Sequence, residues 1–170
     1  MSKEHQYAST NNNDNLLRNK VAAEQDLIGI KNLIDQFVDA WNKHDAELFA
    51  VLFEDDSEWT DVIGHLMVGK EEIERMHAYP FTTVLKDAIL TVKSIRTKEI
   101  QSGVVSVDAV WESTGSKTPE GKPLPTRLGL MTLIVKKDDP HNKTWSIVIG
   151  HNLDYTGTYT NSDRKKIVGD

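Results

Sequence analysis

The sequence predicts an α+β domain, in which helices from the first half of the chain pack against a curved, mostly antiparallel sheet from the second half. Two observations support this fold class. Apolar residues in the first half recur every three or four positions, which is the period of an amphipathic helix. In the second half, long segments alternate between apolar and polar residues, which is typical of strands with one buried face.

Residues 25–43 contain the first predicted helix. Its apolar stripe consists of Ile30, Leu33, Ile34, Phe37 and Trp41. Asn42 is expected to cap the end of this helix. Asp45 is suited to cap a second, short helix over residues 46–53, because its carboxylate can accept a backbone N–H of the first turn. The buried face of the second helix is predicted to be Leu48, Val51 and Leu52.

A short strand is predicted over residues 57–64, followed by a turn and a third helix over residues 70–79. Gly69 is expected to open this helix, and the glutamates in its first turn suit the positive end of the helix dipole. Pro80 is expected to end it.

Four longer strands follow, near residues 84–98, 103–114, 126–137 and 143–152. One face of the second is predicted to be buried and consists of Val105, Val107, Ala109 and Trp111. A curved sheet around a long helix leaves an open-ended space, where small-molecule sites commonly occur.

Composition limits the function classes. Polar segments at both ends predict flexible tails over residues 1–22 and 156–170, around one domain over residues 23–155. The net charge of −6 argues against nucleic-acid binding, and no apolar run approaches the ~20 residues of a membrane span. The N-terminus lacks the apolar core of a secretory signal, so we expect a cytoplasmic protein.

The motifs of several common site classes are missing from the sequence. It contains no cysteine, which excludes thiolate nucleophiles and cysteine-ligated metals. Glycine-rich nucleotide motifs and the serine-hydrolase motif are also absent, so we expect no organic cofactor. Asp61, His77 and His151 have ligand types that zinc accepts, but no i, i+4 pair supports a metal site, and we predict none.

Asp61 is the most informative candidate residue. It lies in EWTDVIGH (58–65), a predicted strand in which Trp59, Val62 and Ile63 surround it, three residues before a glycine. An unpaired buried carboxylate is costly, so such a residue is paired, solvated or used. Asp61 is therefore either a catalytic base or ligand-binding group, or a carboxylate that pairs with Arg127 or lies at a solvated rim.

Two histidines are further candidates for acid–base chemistry. His77 shares the predicted inner side of the third helix with Ile73 and Met76. His151 follows Trp145, Ile147 and Ile149 at a period of two, so we expect it to continue their inward face. Either histidine can act near neutral pH, or can be a satisfied structural group.

A set of short motifs resembles the nuclear transport factor 2-like superfamily. They are AWN (40–42) with Asp45, FEDD (53–56), Gly64, Gly69, Ile73, His77, Trp145 and HN (151–152). The resemblance spans about residues 25–153 and is strongest to the SgcJ/EcaC group, which is akin to SnoaL-like proteins. It implies a cone-shaped, cystatin-like fold with a deep pocket, and often a homodimer through the sheet.

The superfamily includes ketosteroid isomerase, scytalone dehydratase, polyketide cyclases and non-catalytic binding domains, so the fold alone does not determine the activity. The resemblance to ketosteroid isomerase puts Asp61 at the position of its catalytic aspartate. It puts Phe37 where that enzyme has its oxyanion-hole tyrosine, and Met131 or a close neighbour where it has a protonated aspartate. Neither side chain donates a hydrogen bond, so a steroid isomerase mechanism is poorly supported.

The remaining candidates are predicted to line the pocket. Trp41, Trp59 and Trp111 are either pocket wall, which would favour a flat apolar ligand, or plain core. Arg127 either binds a substrate carboxylate or carbonyl, or pairs with Asp61 or Glu112. These residues, with Phe37 and Met131, are the predicted substrate-binding set.

Three functions are compatible with this sequence. The first is an isomerase-, cyclase- or dehydratase-like enzyme that acts on a hydrophobic metabolite, with Asp61 as the base and His77 and His151 as supporting catalytic groups. The second is a protein that binds such a ligand without turnover, and the third is a homo-oligomerisation domain.

Overall fold

The structure, a computed structural model, describes the backbone of residues 10–138 and 144–156, and side chains from residue 23 onward. The chain forms, in order, α1 (Thr10–Asn42), α2 (Ala46–Ala50), β1 (Phe53–Thr60), β2 (Leu66–Val68), α3 (Lys70–Thr82), β3 (Ile89–Gln101), β4 (Val104–Thr114), β5 (Arg127–Lys137) and β6 (Trp145–Asp154). The first nine residues of the predicted N-terminal tail lie outside the described part, as does the predicted C-terminal tail from residue 157.

The described strands form one six-stranded sheet in the order β2-β1-β6-β5-β4-β3. Every neighbouring pair is antiparallel except β1 and β6, which run parallel. The helices pack against the inner face of this curved sheet, and the buried apolar residues form one cluster between the two layers. The predicted α+β class is confirmed, and the short strand β2 is an addition to the predicted elements.

Helix α1 packs on the sheet through the predicted stripe. Ile30, Leu33, Ile34 and Phe37 are buried, and Trp41 is half-buried against the same cluster. The helix begins at Thr10, which is earlier than expected, so residues 10–22 have helical backbone where we predicted a tail. Once a helix has formed, each further residue adds a backbone hydrogen bond, so the helical backbone can extend beyond the turns that an apolar stripe marks.

Asp45 caps α2 as predicted, because its Oδ1 accepts the backbone N–H of Leu48 at 2.9 Å. The predicted buried face of this helix is wrong in part. Leu48 and Val51 are exposed, whereas Phe49 and Ala50 are buried. The helix ends at Ala50 and the chain turns into β1 at Phe53, so a helical period over residues 46–53 does not apply.

Asn42 ties α1 to the sheet instead of capping the helix end. Its Nδ2 donates to the carbonyl of Leu90 at 3.0 Å, and its Oδ1 accepts the N–H of Leu90 at 2.8 Å. Both bonds join residues 48 positions apart in the sequence. Asn42 therefore fixes the C-terminal end of α1 against β3.

The expectation that Pro80 ends the third helix is also corrected, because α3 continues to Thr82. A proline in the last turn removes only one hydrogen bond, and Pro80 is buried. Hydrogen-bonded turns over residues 83–88 follow the helix, so β3 begins at Ile89 rather than near residue 84.

Strand β4 is buried on the predicted face, with Val105, Val107, Ala109 and Trp111 inward. Strand β6 is less regular. Ile134 of β5 pairs with Ile149, but the next residue, Val135, pairs with Ile147, so that Val148 is an extra residue in β6. Such a β-bulge reverses which alternate residues face inward beyond it.

We predict that Asn42→Ala lowers the free energy of unfolding by about 1–3 kcal/mol, because it leaves both polar groups of the Leu90 backbone without their partner. Urea denaturation measures the change. The matched control is Lys43→Ala, which removes an exposed ion pair with Asp39 and should change stability by less than about 0.5 kcal/mol. Equal effects of the two substitutions would contradict the proposed tie.

Candidate functional site

An interior cavity lies between α1, α3 and the inner face of the sheet. Its volume is about 80 Å³, roughly five to eight times what one water needs. Its wall consists of Phe37, Trp41, Trp59, Asp61, Val62, Ile63, Met67, Met76, His77, Pro80, Val84, Leu85, Leu90, Trp111, Ser113, Arg127, Met131 and Asn152.

Most of this wall is apolar. Phe37 comes from the stripe of α1, Trp59 from β1, and Met131 from the inner face of β5, and all three are buried. The rings of Phe37 and Trp59 lie 5.9 Å apart, and Trp41 packs edge-on against Phe81 at 5.1 Å. All six predicted substrate-binding residues line the cavity, so its shape is set by aromatic packing.

The polar residues of the wall gather at one end of the sheet. Thr60, the last residue of β1, pairs with His151 of β6. Because the two strands run parallel, the next residues of the two chain segments, Asp61 and Asn152, also lie beside one another. Asn152 pairs with Met131 in β5, and Arg127 at the start of β5 pairs with Ser113 near the end of β4. The ends of four strand segments therefore bring Asp61, Asn152, Arg127 and Ser113 to the same rim.

Asp61 is half-buried and begins the loop between β1 and β2. Its Oδ1 accepts the backbone N–H groups of Ile63 at 3.0 Å and His65 at 2.9 Å. Its own backbone N–H donates to the carbonyl of His65 at 3.1 Å. These bonds hold the carboxylate at the cavity wall, and they also give Asp61 a role in shaping the loop.

His77 is buried on the inner side of α3, as predicted from its position beside Ile73 and Met76. Its Nδ1 lies 2.7 Å from the carbonyl of Ile73 and donates to it, so that Nε2 is the acceptor of the ring. Burial disfavours the imidazolium and lowers the pKa of His77 from 6.5 to about 4, although the bond to Ile73 opposes the change. His77 is therefore neutral at physiological pH.

Arg127 forms an ion pair with Asp154, a residue that the sequence did not single out. Its Nε donates to Asp154 Oδ2 at 2.9 Å, and its Nη2 lies 2.8 Å from the same oxygen. The other oxygen of Asp154 accepts the N–H and the hydroxyl of Thr156. Both partners of the pair are 4% exposed, and the guanidinium lies 5.6 Å from the ring centre of Trp111. Glu112, the other expected partner, contacts Lys93 at 3.0 Å.

The inward direction predicted for His151 is wrong. His151 is exposed and pairs with Thr132 on the outer face of the sheet, because the bulge at Val148 shifts the alternation of β6 by one residue. Its neighbour Asn152 faces inward and accepts a hydrogen bond from Trp111 Nε1 at 2.7 Å. That bond uses the amide oxygen of Asn152, so its Nδ2 remains as a donor.

Gly150 was the signal in the sequence for this irregularity, since a glycine within a strand often marks a bulge or a close approach. A Cβ at Gly150 would lie 2.3 Å from Cε3 of Trp59. The glycine therefore makes room for the indole of Trp59, which lines the cavity. Asn152 and Asp154 then follow on the inner face.

Three further polar atoms of wall residues are buried and have no hydrogen-bond partner within the described part of the chain. They are Ser113 Oγ, Trp41 Nε1 and Trp59 Nε1. Buried polar groups are usually hydrogen-bonded, so donors without a partner beside a cavity indicate where a ligand or water binds.

His151 lies on the outer face of the sheet and is therefore separated from His77 and Asp61. Across residues 23–138 and 144–156, whose side chains the structure describes, no group of three His, Asp or Glu is arranged to hold a metal ion.

A family model of the SnoaL-like domain matches residues 34–138, which is more than half of the 170 residues. The chain belongs to the SnoaL-like domain family. This agrees with the resemblance of its motifs to the nuclear transport factor 2-like superfamily, which is thereby confirmed. None of the curated proteins matches the sequence.

Solved structures with a cystatin-like fold are similar to this SnoaL-like domain. A protein from Caulobacter vibrioides is 24% identical with a TM-score of 0.67, and the match covers 82% of this chain and 93% of that one. The hexachlorocyclohexane dehydrochlorinase LinA, type 2, is 13% identical with a TM-score of 0.70, over 80% of this chain and 89% of that one. A candidate scytalone dehydratase from Novosphingobium aromaticivorans is 14% identical with a TM-score of 0.69, over 83% and 92%. These structures confirm the predicted fold of the SnoaL-like domain.

Among the described helices of this SnoaL-like domain, none has the length and apolar composition that a membrane-spanning helix requires.

We predict that His77 makes the stability of this SnoaL-like domain depend on pH. The unfolded chain binds a proton at His77 near pH 6.5, whereas the folded protein does so only near pH 4. Between these values the unfolded state binds more protons, so the free energy of unfolding falls as the pH decreases. The loss due to His77 should reach about 3 kcal/mol and then level off.

Urea denaturation of the wild type and His77→Gln across this pH range measures the effect. Glutamine keeps a donor for the Ile73 carbonyl but does not titrate, so its stability should fall less steeply. Parallel pH profiles for the two proteins would show that His77 is not a buried neutral imidazole.

Proposed function

We propose that the protein binds a small, largely apolar molecule in this cavity, with the polar group of the ligand at the rim formed by Asp61, Arg127 and Asn152. The observation that carries the proposal is the combination of a mainly aromatic wall with polar side chains gathered at one end. Ligand sites typically combine an apolar enclosure with a few polar groups that fix orientation. The small size of the cavity favours a molecule no larger than about one ring.

The comparisons support this proposal at the level of the family. The SnoaL-like match covers the helices and strands that form most of the wall. Two structural neighbours, LinA and the candidate scytalone dehydratase, are enzymes of small molecules by their names. A small-molecule ligand is therefore the class that we propose for this chain too. The finer assignment to the SgcJ/EcaC type rests on the motifs alone.

We also propose that the cavity supports proton transfer with Asp61 as the base. Its carboxylate lies in the cavity wall and is oriented by the N–H groups of Ile63 and His65. Neutral His77 contributes a second acceptor, Nε2, from the opposite layer. A positioned base of this kind contributes roughly 10²–10⁴-fold to the rate of proton abstraction.

Homodimerisation through the sheet stays a prediction from the resemblance. The outer face of the sheet includes Leu128 and Leu153, which are exposed large apolar residues, together with His151. Exposed apolar groups on this face are compatible with a second copy of the chain. The cytoplasmic location is likewise a prediction from the sequence.

Filling the cavity should abolish ligand binding. Leu90 lines the cavity and is 6% exposed, whereas its neighbour Ile89 is 50% exposed. We expect Leu90→Trp to occupy the cavity and to eliminate measurable binding of benzyl alcohol, while Ile89→Trp, the matched control, leaves binding unchanged. Calorimetric titration of the full chain measures both, and circular dichroism checks that each variant is folded.

Binding of benzyl alcohol that survives Leu90→Trp would place the ligand elsewhere. Absence of binding to the wild type would contradict the proposed ligand class. Overpacking is expected to lower the stability of Leu90→Trp by about 1–3 kcal/mol. The titration should therefore be done at a temperature at which this variant remains folded.

Asp61→Asn tests the proposed proton transfer. Asparagine keeps an oxygen for the N–H groups of Ile63 and His65, so the melting temperature should change little. We expect the wild type to accelerate hydrogen–deuterium exchange at the methyl group of acetophenone, followed by NMR, and Asp61→Asn to reduce this acceleration by at least about 100-fold. Equal rates for the two proteins, or no acceleration by the wild type, would exclude Asp61 as the base.

A further inference from the structure

The charges and donors around the cavity also restrict the kind of polar group that its ligand carries, an inference that rests on the proposed function. We propose that the cavity selects a neutral ligand with an oxygen acceptor, such as a carbonyl, amide or ether oxygen, and discriminates against carboxylates. Two independent features of the cavity support this selectivity, namely its charges and its hydrogen-bonding groups.

Arg127 is the obvious site for an anion, but its charge is already neutralised. Asp154 is buried with it and contacts its Nε and Nη2 through one oxygen. Thr156 binds the other oxygen, which fixes the carboxylate in place. An anionic ligand would have to compete with a partner that is covalently attached, buried and already oriented.

The remaining titratable groups of the wall do not restore a positive charge. Asp61 adds a second carboxylate, so two carboxylates against one guanidinium leave a formal charge of −1. His77 is the third titratable residue in the wall, and burial keeps it neutral. Charges act strongly in an enclosed apolar space, so a further negative charge in the cavity would be repelled.

The hydrogen-bonding groups point to an acceptor on the ligand. Indole N–H groups donate only, and those of Trp41 and Trp59 are buried without a partner in the described residues. Asn152 has committed its oxygen to Trp111, which leaves its Nδ2 donor. Ser113 Oγ, in a residue that is 2% exposed, adds a hydroxyl without a partner on the rim beside Arg127.

The charges and the hydrogen-bonding groups of the cavity exclude different ligands. A cation without an acceptor would leave the donors unsatisfied, and a carboxylate would satisfy them but be repelled by the formal charge. A neutral oxygen acceptor meets both conditions. Ser113 is then a specificity-determining residue, because its hydroxyl lies where the polar group of the ligand binds.

Three isosteric probes separate these cases: benzamide is neutral, benzoate is an anion and benzamidine is a cation. Calorimetric titration of the full chain at pH 8 should give the tightest binding for benzamide, with benzoate and benzamidine each at least about tenfold weaker. Benzoate or benzamidine binding as tightly as benzamide would overturn the inference and leave the proposed function intact. Failure of benzamide and benzyl alcohol alike to bind would overturn both.

Ser113→Ala tests the donor side, and Ser116→Ala is its matched control. Both hydroxyls are buried without a described partner, but only Ser113 belongs to the cavity wall. We expect Ser113→Ala to weaken benzamide binding about three- to tenfold and Ser116→Ala to leave it unchanged. Equal affinities of the two variants would remove Ser113 from the site.

Asp154→Asn tests the electrostatic side, because it releases the charge of Arg127 while keeping the shape of its partner. The ratio of benzoate to benzamide affinity should rise at least about tenfold. Should this variant fail to fold, Asp61→Asn also removes one negative charge from the wall and should shift the ratio in the same direction. An unchanged ratio in a folded variant would show that charge does not set the selectivity.

Discussion

The site depends on one extra residue in β6. The bulge at Val148 allows Ile147 to pack in the core while Gly150, Asn152 and Asp154 take the inner positions further along the strand. Each of these positions has a separate consequence: Gly150 makes room for Trp59, Asn152 binds Trp111, and Asp154 neutralises Arg127. A regular strand would have exchanged them for Ile149, His151 and Leu153. The rim would then have lost the amide of Asn152, and Arg127 would have lost the carboxylate of Asp154.

The polar rim is stable because its strongest charges satisfy one another. A buried guanidinium that loses its carboxylate destabilises a protein by roughly 3–5 kcal/mol, and here Asp154 supplies that carboxylate beside the ring of Trp111. The same neutralisation leaves weaker groups, an amide, a hydroxyl and indole N–H groups, as those available to a ligand. The burial of Arg127 and the proposed ligand selectivity therefore depend on the same ion pair.

The periodic parts of the fold could be predicted from the sequence, and the irregular parts could not. The stripe of α1 and the alternation of β4 repeat often enough to fix which residues are buried, and the inward position of His77 follows from its helix in the same way. His151 was misplaced because a bulge leaves no mark on a period-two pattern except a glycine. Asp154 was missed because its role comes from a partner 27 residues away, and the five-residue helix α2 is too short to have a reliable period.

The sequence departs from the pattern of ketosteroid isomerase at two positions, and both residues lie in the cavity wall. Phe37 and Met131 line the cavity and donate no hydrogen bond, so a base at Asp61 receives no oxyanion stabilisation from them. The donors of this cavity come from other positions, namely the indoles of Trp41 and Trp59, Asn152 and Ser113. Proton abstraction at Asp61 would therefore require an enolate oxygen to lie against those donors while the α-carbon lies within reach of the carboxylate. Because the same donors would hold a neutral carbonyl in a protein without turnover, the position of the α-carbon relative to Asp61 is what separates an enzyme from a binding protein here.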